Sequence, residues 1–229
     1  MKLQAGDALG FWAGQAYSSV EGLQLYLQTL EKFIESERSA EIHALEKHAG
    51  ELPDNARSDF WAWNYPVHWD DIFATQLRCS FLVTLVSLVE SHVSVVASEA
   101  RGVARAPLSP RELQGEHLER HRKYFEKILG FQLPGSSLWS DMHDLSELRN
   151  RVVHAQNSAH AEDPKKQARL LQLAKNFPGI SVENSSFQFS AEFPLAAINR
   201  VKLFLSEAYG EAGRLVKGSN QLQDKGGKG

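Results

Sequence analysis

The chain has 229 residues, of which 42% are apolar and 23% charged, so it can bury a sizeable core and is not of disordered, collagen-like or low-complexity composition. Lys and Arg total 25 against 28 Asp and Glu, a net charge of -3, which excludes a global basic field as the driver of nucleic-acid binding and leaves only local contacts. The single cysteine, Cys79, excludes an internal disulfide framework and a multi-cysteine zinc site, and suits a reducing compartment.

The start, Met1 to Gly10, lacks the charged-then-apolar pattern of a signal peptide. Apolar residues at Val20, Leu23, Tyr26, Leu27, Leu30, Phe33 and Ile34 recur at three and four, which predicts a first helix from about Gln15 to about His48, ended by Gly50, Pro53 and Asp54. The aromatic stretch Phe60, Trp61, Trp63, Tyr65 and Trp69 could stack bases, but such clusters more often pack a loop across a bundle, and a core role is expected. A second helix, from about Trp69 to about Arg101, is apolar on most sides and therefore central. Its greasiest run, Phe81 to Val89, is interrupted by Thr84 and Ser87 and stopped by Glu90, short of the roughly 20 residues a membrane span needs. A soluble, cytoplasmic protein is the expectation.

Ser109-Pro110-Arg111-Glu112 is a helix start signal, opening a mostly charged helix that ends near Gly130. Pro134-Gly135 precede a helix over about 137–156, and a short basic helix follows Asp163-Pro164. Ile180-Ser181-Val182 and Phe187-Gln188-Phe189 alternate around Glu183-Asn184-Ser185-Ser186, the pattern of a small hairpin, and a final helix runs from about Glu192 to about Leu215. The fold class is all-α: a helical bundle with a long central helix and a small β-hairpin before the last helix, one domain over 1–217 with a flexible tail at 218–229.

Chemistry concentrates in Glu147-Leu148-Arg149-Asn150-Arg151-Val152-Val153-His154. On a helix Asn150 and His154 share a face, as do His143 and Glu147, while Leu145, Leu148, Val152 and Ala155 cluster opposite. Arg149 lies at the border, roughly 140° from His154, so only its long side chain would let the two converge on one ligand. Spacing alone is weak: with 13 Arg and 9 His, such a pair arises by chance about half a time, and Arg38 with His43 repeats it in the first helix with nothing else to recommend it.

The string Leu148-Arg149-Asn150, three residues and His154, late in a helix of an all-helical chain, resembles the Arg, polar residue, any three, His signature of the HEPN superfamily. Glu90 on a long apolar helix upstream and the hairpin before a final helix are similar too, over about Trp69 to Leu215. The likeness is greatest to compact bacterial and archaeal members, many of them metal-independent ribonucleases of toxin–antitoxin or phage-defence systems. It implies an endoribonuclease without cofactor or metal, in which the RNA 2′-hydroxyl is the nucleophile and products carry a 2′,3′-cyclic phosphate. It assigns general acid or base work to His154, phosphate binding and charge stabilisation to Arg149, and phosphate or imidazole positioning to Asn150. It further implies a homodimer with a composite site, RNA as substrate and a cognate antitoxin as partner. Some toxins of the group carry a modifiable Tyr two places after the His; Gln156 stands there in this chain.

Glu90 and Glu147 are candidate supporting residues; Glu90, a carboxylate on a greasy face, would pair with Arg149, orient His154 or face the surface. Arg120, Arg122, Lys123 and Lys127, with Lys165, Lys166 and Arg169, would guide an RNA backbone, but Glu112, Glu116, Glu119 and Glu126 dilute the first group towards ordinary surface charge. His117 and His121 have a metal-ligand spacing, yet Glu119 falls away from a metal so held, and a solvated charged face is favoured. The alternative to an enzyme is a noncatalytic helical module that binds RNA or protein through the same face.

Overall fold

The computed structural model describes residues 5–131 and 135–226, with side chains from 6 to 131 and from 137 to 218. The Met1 start, the Pro134 punctuation and the last three residues of the expected tail lie outside the described backbone. Helices α1 (Ala5–Gly50), α2 (Asp54–Asn64), α3 (Thr75–Ala104), α4 (His117–Lys123), α5 (Gly135–His154), α6 (Pro164–Asn176) and α7 (Glu192–Gly226) surround one antiparallel hairpin, β1 (Ile180–Glu183) and β2 (Ser186–Phe189). The all-α bundle with a small hairpin before the last helix is what the sequence predicts.

α3 is central because its apolar residues cover most of its surface, leaving water only a narrow stripe through Gln76, Ser80, Thr84, Ser87 and Ser91. Phe81, Leu82, Leu85, Val86, Val89, Val93, Val96, Ala97 and Ala100 are all buried, against α1, α5 and α7. Each large one contributes about 2 kcal/mol of apolar burial. A window of 18 residues within Asp54–Ala104 reaches a mean hydropathy of 1.7, so by length and composition alone it is apolar enough to cross a membrane, as the core helix of a bundle also is; half of that window is buried in the bundle. A π-helical turn over Trp69–Ala74 leads into α3. Arg78 ties three elements, donating to both Glu31 carboxylate oxygens at 2.8 Å and to the Phe189 carbonyl at 2.9 Å.

Four expectations are revised. α1 begins at Ala5 and buries a narrow seam through Leu9, Ala16, Val20 and Leu27, with Ala8 and Ala49, leaving Tyr26 and Phe33 exposed. The aromatic stretch is no core: most of it sits on α2, which buries no residue, and Trp63 is 87% exposed. Ser109 caps only a single 3-10 turn, Pro110–Glu112; Gly115 at φ 123° breaks the chain before α4, which continues as a π-helical segment, Tyr124–Ile128, and stops at Gly130 with φ 65°. α7 runs on through Gly226, past Leu215 and into the segment expected to be a tail.

The hairpin turn is local chemistry: Asn184 and Ser185 both take positive φ, 49° and 61°, as a two-residue turn matched to strand twist requires. Phe187 and Phe189 point into the core, and Phe189 stacks on Phe193 at 4.7 Å. At Gly179, φ 78°, a Cβ would stand 2.5 Å from the Phe193 amide nitrogen, so only glycine lets the hairpin dock on the start of α7.

Candidate functional site

α5 is amphipathic as its sequence predicts. Trp139, Met142, Leu145 and Leu148 are buried, Val152 is half-buried, and His143 and His154 are exposed. Asp144 is the exception on the packed side, fully buried and held by Arg169 of α6 and by the Asn176 amide at 2.6 Å. The helix ends in a left-handed pair, Gln156 at φ 48° and Asn157 at φ 61°, with the Asn157 amide bonded back to the Arg151 carbonyl. That turn is pinned to the hairpin by Phe187 N–H to the Asn157 carbonyl at 2.8 Å and Ala159 N–H to the Ser185 carbonyl at 2.9 Å. His154 therefore sits at a fixed place, the last residue of α5.

Arg149 crosses to α3. Its Nη2 donates to Glu90 Oε1 at 2.7 Å, each side chain only 23% exposed. Of the three roles open to Glu90, pairing with Arg149 is the one the structure shows. The Arg149 Nε is buried without a partner. The pair lines a hollow of about 130 Å³ with His117, His143 and Asn150. His154 lines a different, open hollow of about 380 Å³ with Glu147, Asn150 and Arg151. Asn150 is the residue common to both. Its amide, with donors and an acceptor, is placed between a guanidinium set in a half-buried pocket and an imidazole open to solvent.

The remaining candidates separate by their partners. Glu147 receives a hydrogen bond from Arg169 Nε at 3.2 Å, so it belongs to the α5–α6 clamp with Asp144. Arg122 is matched by Glu119 at 2.9 Å and Glu126 at 3.2 Å, and Lys123 by Glu119 at 3.5 Å; neither is a free cation for RNA. Lys165 and Lys166, exposed at the start of α6, have no carboxylate partner among the described residues. Arg38 pairs with Asp70 and bonds the Tyr65 hydroxyl, away from His43, which is nearly bare.

His117 and His121 are not on a solvated face, as the sequence suggested. Their rings stand 4.4 Å apart, His121 is buried, and both Nε2 atoms approach the Ser94 hydroxyl, at 3.3 and 3.5 Å. Burial holds both imidazoles below the usual histidine range, and for His117 the neighbouring Arg120 and Arg149 guanidiniums push the same way. No group of three or more His, Cys, Asp or Glu side chains suited to a metal occurs among the described residues. Sequence reasoning missed that His117 belongs to the Arg149 hollow. The signal was the four-residue His spacing, which marks one helix face without saying what that face meets.

The fold and site define a helical bundle with an Arg-Glu pair and an exposed histidine on one motif helix. Compared with protein-family models, curated proteins and solved structures, the chain matches none.

Proposed function

We propose that the protein is a homodimeric, metal-independent endoribonuclease of the HEPN type, acting in the cytoplasm as a toxin or phage-defence effector. The observation that carries the reading is the arrangement at the end of α5: Arg149 set by Glu90, His154 open at the helix end, and Asn150 lining the hollows of both. In the reaction the RNA 2′-oxygen attacks the adjacent phosphorus while an imidazole takes its proton. The bond from phosphorus to the 5′-oxygen breaks, and an imidazolium returns a proton to that oxygen, leaving a 2′,3′-cyclic phosphate and a 5′-hydroxyl. Arg149, with donors beyond the one given to Glu90, stabilises the charge that develops on the phosphoryl oxygens. A second copy placed across the open hollow would supply the facing imidazole and close the site against water.

The test is cleavage of single-stranded or transfer RNA in excess EDTA, with analysis of the product ends and of the solution mass. Activity with cyclic-phosphate ends in a dimer, abolished by Arg149→Ala and by His154→Ala, supports the reading; cleavage retained in both variants removes it. The separation of the Arg149 and His154 hollows within one chain favours a second reading, a noncatalytic module that binds RNA or a protein through this face. Binding without strand scission, unchanged by His154→Ala, selects it.

A further inference from the structure

Beside the Arg149 hollow lies a larger one of about 480 Å³, between α3, the turn at Ser109–Glu112 and α4. Arg101, Arg111 and Arg120 line it, together with Ser94, Ser109 and His117, and among the described residues no carboxylate does. Three nearby acids hold other partners. Glu112 accepts from the Ser109 amide at 2.6 Å and hydroxyl at 2.8 Å, Glu119 is bonded to Arg122 and Lys123, and Glu90 to Arg149. Arg101 is held in place by bonds to the Ala106 and Pro107 carbonyls and makes no carboxylate contact of its own, though its charge helps hold the Glu112 carboxyl below its usual range. Arg111 and Arg120 have no side-chain partner among the described residues, and Arg120 Nε is buried.

Three guanidiniums lining one concavity with no carboxylate in its wall make a local positive potential that favours an anion more than one fork can grip. A phosphate group fits by charge and by bidentate geometry. His117 lines both this pocket and the Arg149 hollow, and its Nδ1 is buried without a partner. Asn150 is shared in turn by the Arg149 and His154 hollows, so the three are neighbours in that order.

We propose that the Arg101, Arg111 and Arg120 pocket is a phosphate-binding site, and that it seats a backbone phosphate of the RNA away from the bond that is cut. The RNA assignment rests on the nuclease reading; phosphate binding itself does not. A free phosphate monoester shares the chemistry, so the test has two arms on the full chain: calorimetric titration with inorganic phosphate, and binding of a single-stranded RNA made uncleavable by 2′-O-methyl sugars, each with wild type, Arg120→Gln and the exposed-site variant Arg111→Gln.

Wild type binds both probes, and each variant weakens both about tenfold or more. For the RNA the slope of log K against log salt falls by about 0.7 for each backbone phosphate that is no longer neutralised. Weakened phosphate binding with unchanged RNA binding keeps the site but assigns it to a free monoester. No phosphate binding by wild type, or the same binding in wild type and both correctly folded variants, overturns the proposal. Absence of cleavage with phosphate binding intact removes only the nuclease reading.

Discussion

Glu90 of the buried central helix and Arg149 of the motif helix are joined at 2.7 Å across the α3–α5 interface, so the guanidinium is aimed by the core itself. A neutral amide at position 90 keeps the shape and loses the charge that holds Arg149. Glu90→Gln is expected to leave the fold intact and to lower kcat in RNA cleavage by about 100-fold, as misplaced groups do, with KM little changed. A wild-type rate in this variant would show that Arg149 needs no such anchor.

His154 carries no packing, being exposed at the end of α5. On the proposed nuclease reading His154→Ala is expected to abolish cleavage, and its exposure keeps the change in unfolding free energy to no more than about 0.5 kcal/mol. Gel analysis of cleavage and urea melts on one preparation read the two quantities together.

Asp144 is fully buried and receives the Asn176 amide and the Arg169 guanidinium. Asp144→Ala removes the buried acceptor of the Asn176 amide and leaves Arg169 with Glu147 alone, at an expected cost of about 2 kcal/mol in urea unfolding. Because this clamp sets α6 against α5, the loss should also expose the end of α5 to hydrogen exchange.

Gly179→Ala forces a Cβ into the Phe193 backbone at a positive φ. The expected loss is about 3 kcal/mol, seen as a lower urea midpoint, with the hairpin the first region to open in hydrogen exchange.

His92, His117 and His121 are all held below the histidine value of 6.5, by burial first. Their folded forms resist protonation, so the unfolded chain binds protons first as pH falls through 6.5. Stability is full above that value and declines below it until the folded pKa of each group is passed. Thermal melts at pH 7.5 and 5.5 should show a lower Tm at the acid end, with a smaller difference in His92→Phe. An unchanged Tm would mean that these imidazoles are not shielded from water.

Much was legible in the residues themselves. Apolar periodicity and capping signals located the long central helix, the Asp163-capped α6 and the final helix, because those signals act within one or two turns. Asn184-Ser185 between alternating runs marked the hairpin for the same reason. The longer helix expected after Ser109 was not found, since the Ser109–Glu112 capping box closes a single turn and Gly115 then breaks the chain; propensity cannot tell one turn from five. The aromatic cluster misled because its composition is that of a core, whereas α2 meets the end of α1, Phe60 against His48, and none of its residues is fully buried.

At the site, the chain order alone determined that Arg149, Asn150 and His154 share one helix and that the first and last point well apart, since helical geometry is set by the backbone. Only tertiary structure decided that Glu90, 59 residues away, holds Arg149, that Arg122 and Lys123 are matched by Glu119 and Glu126 while Arg111 and Arg120 are not, and that His117 lines both the Arg149 hollow and the three-arginine pocket. Charge in a sequence is a count; whether it is free to meet a ligand depends on which carboxylates the packing of the core brings within reach.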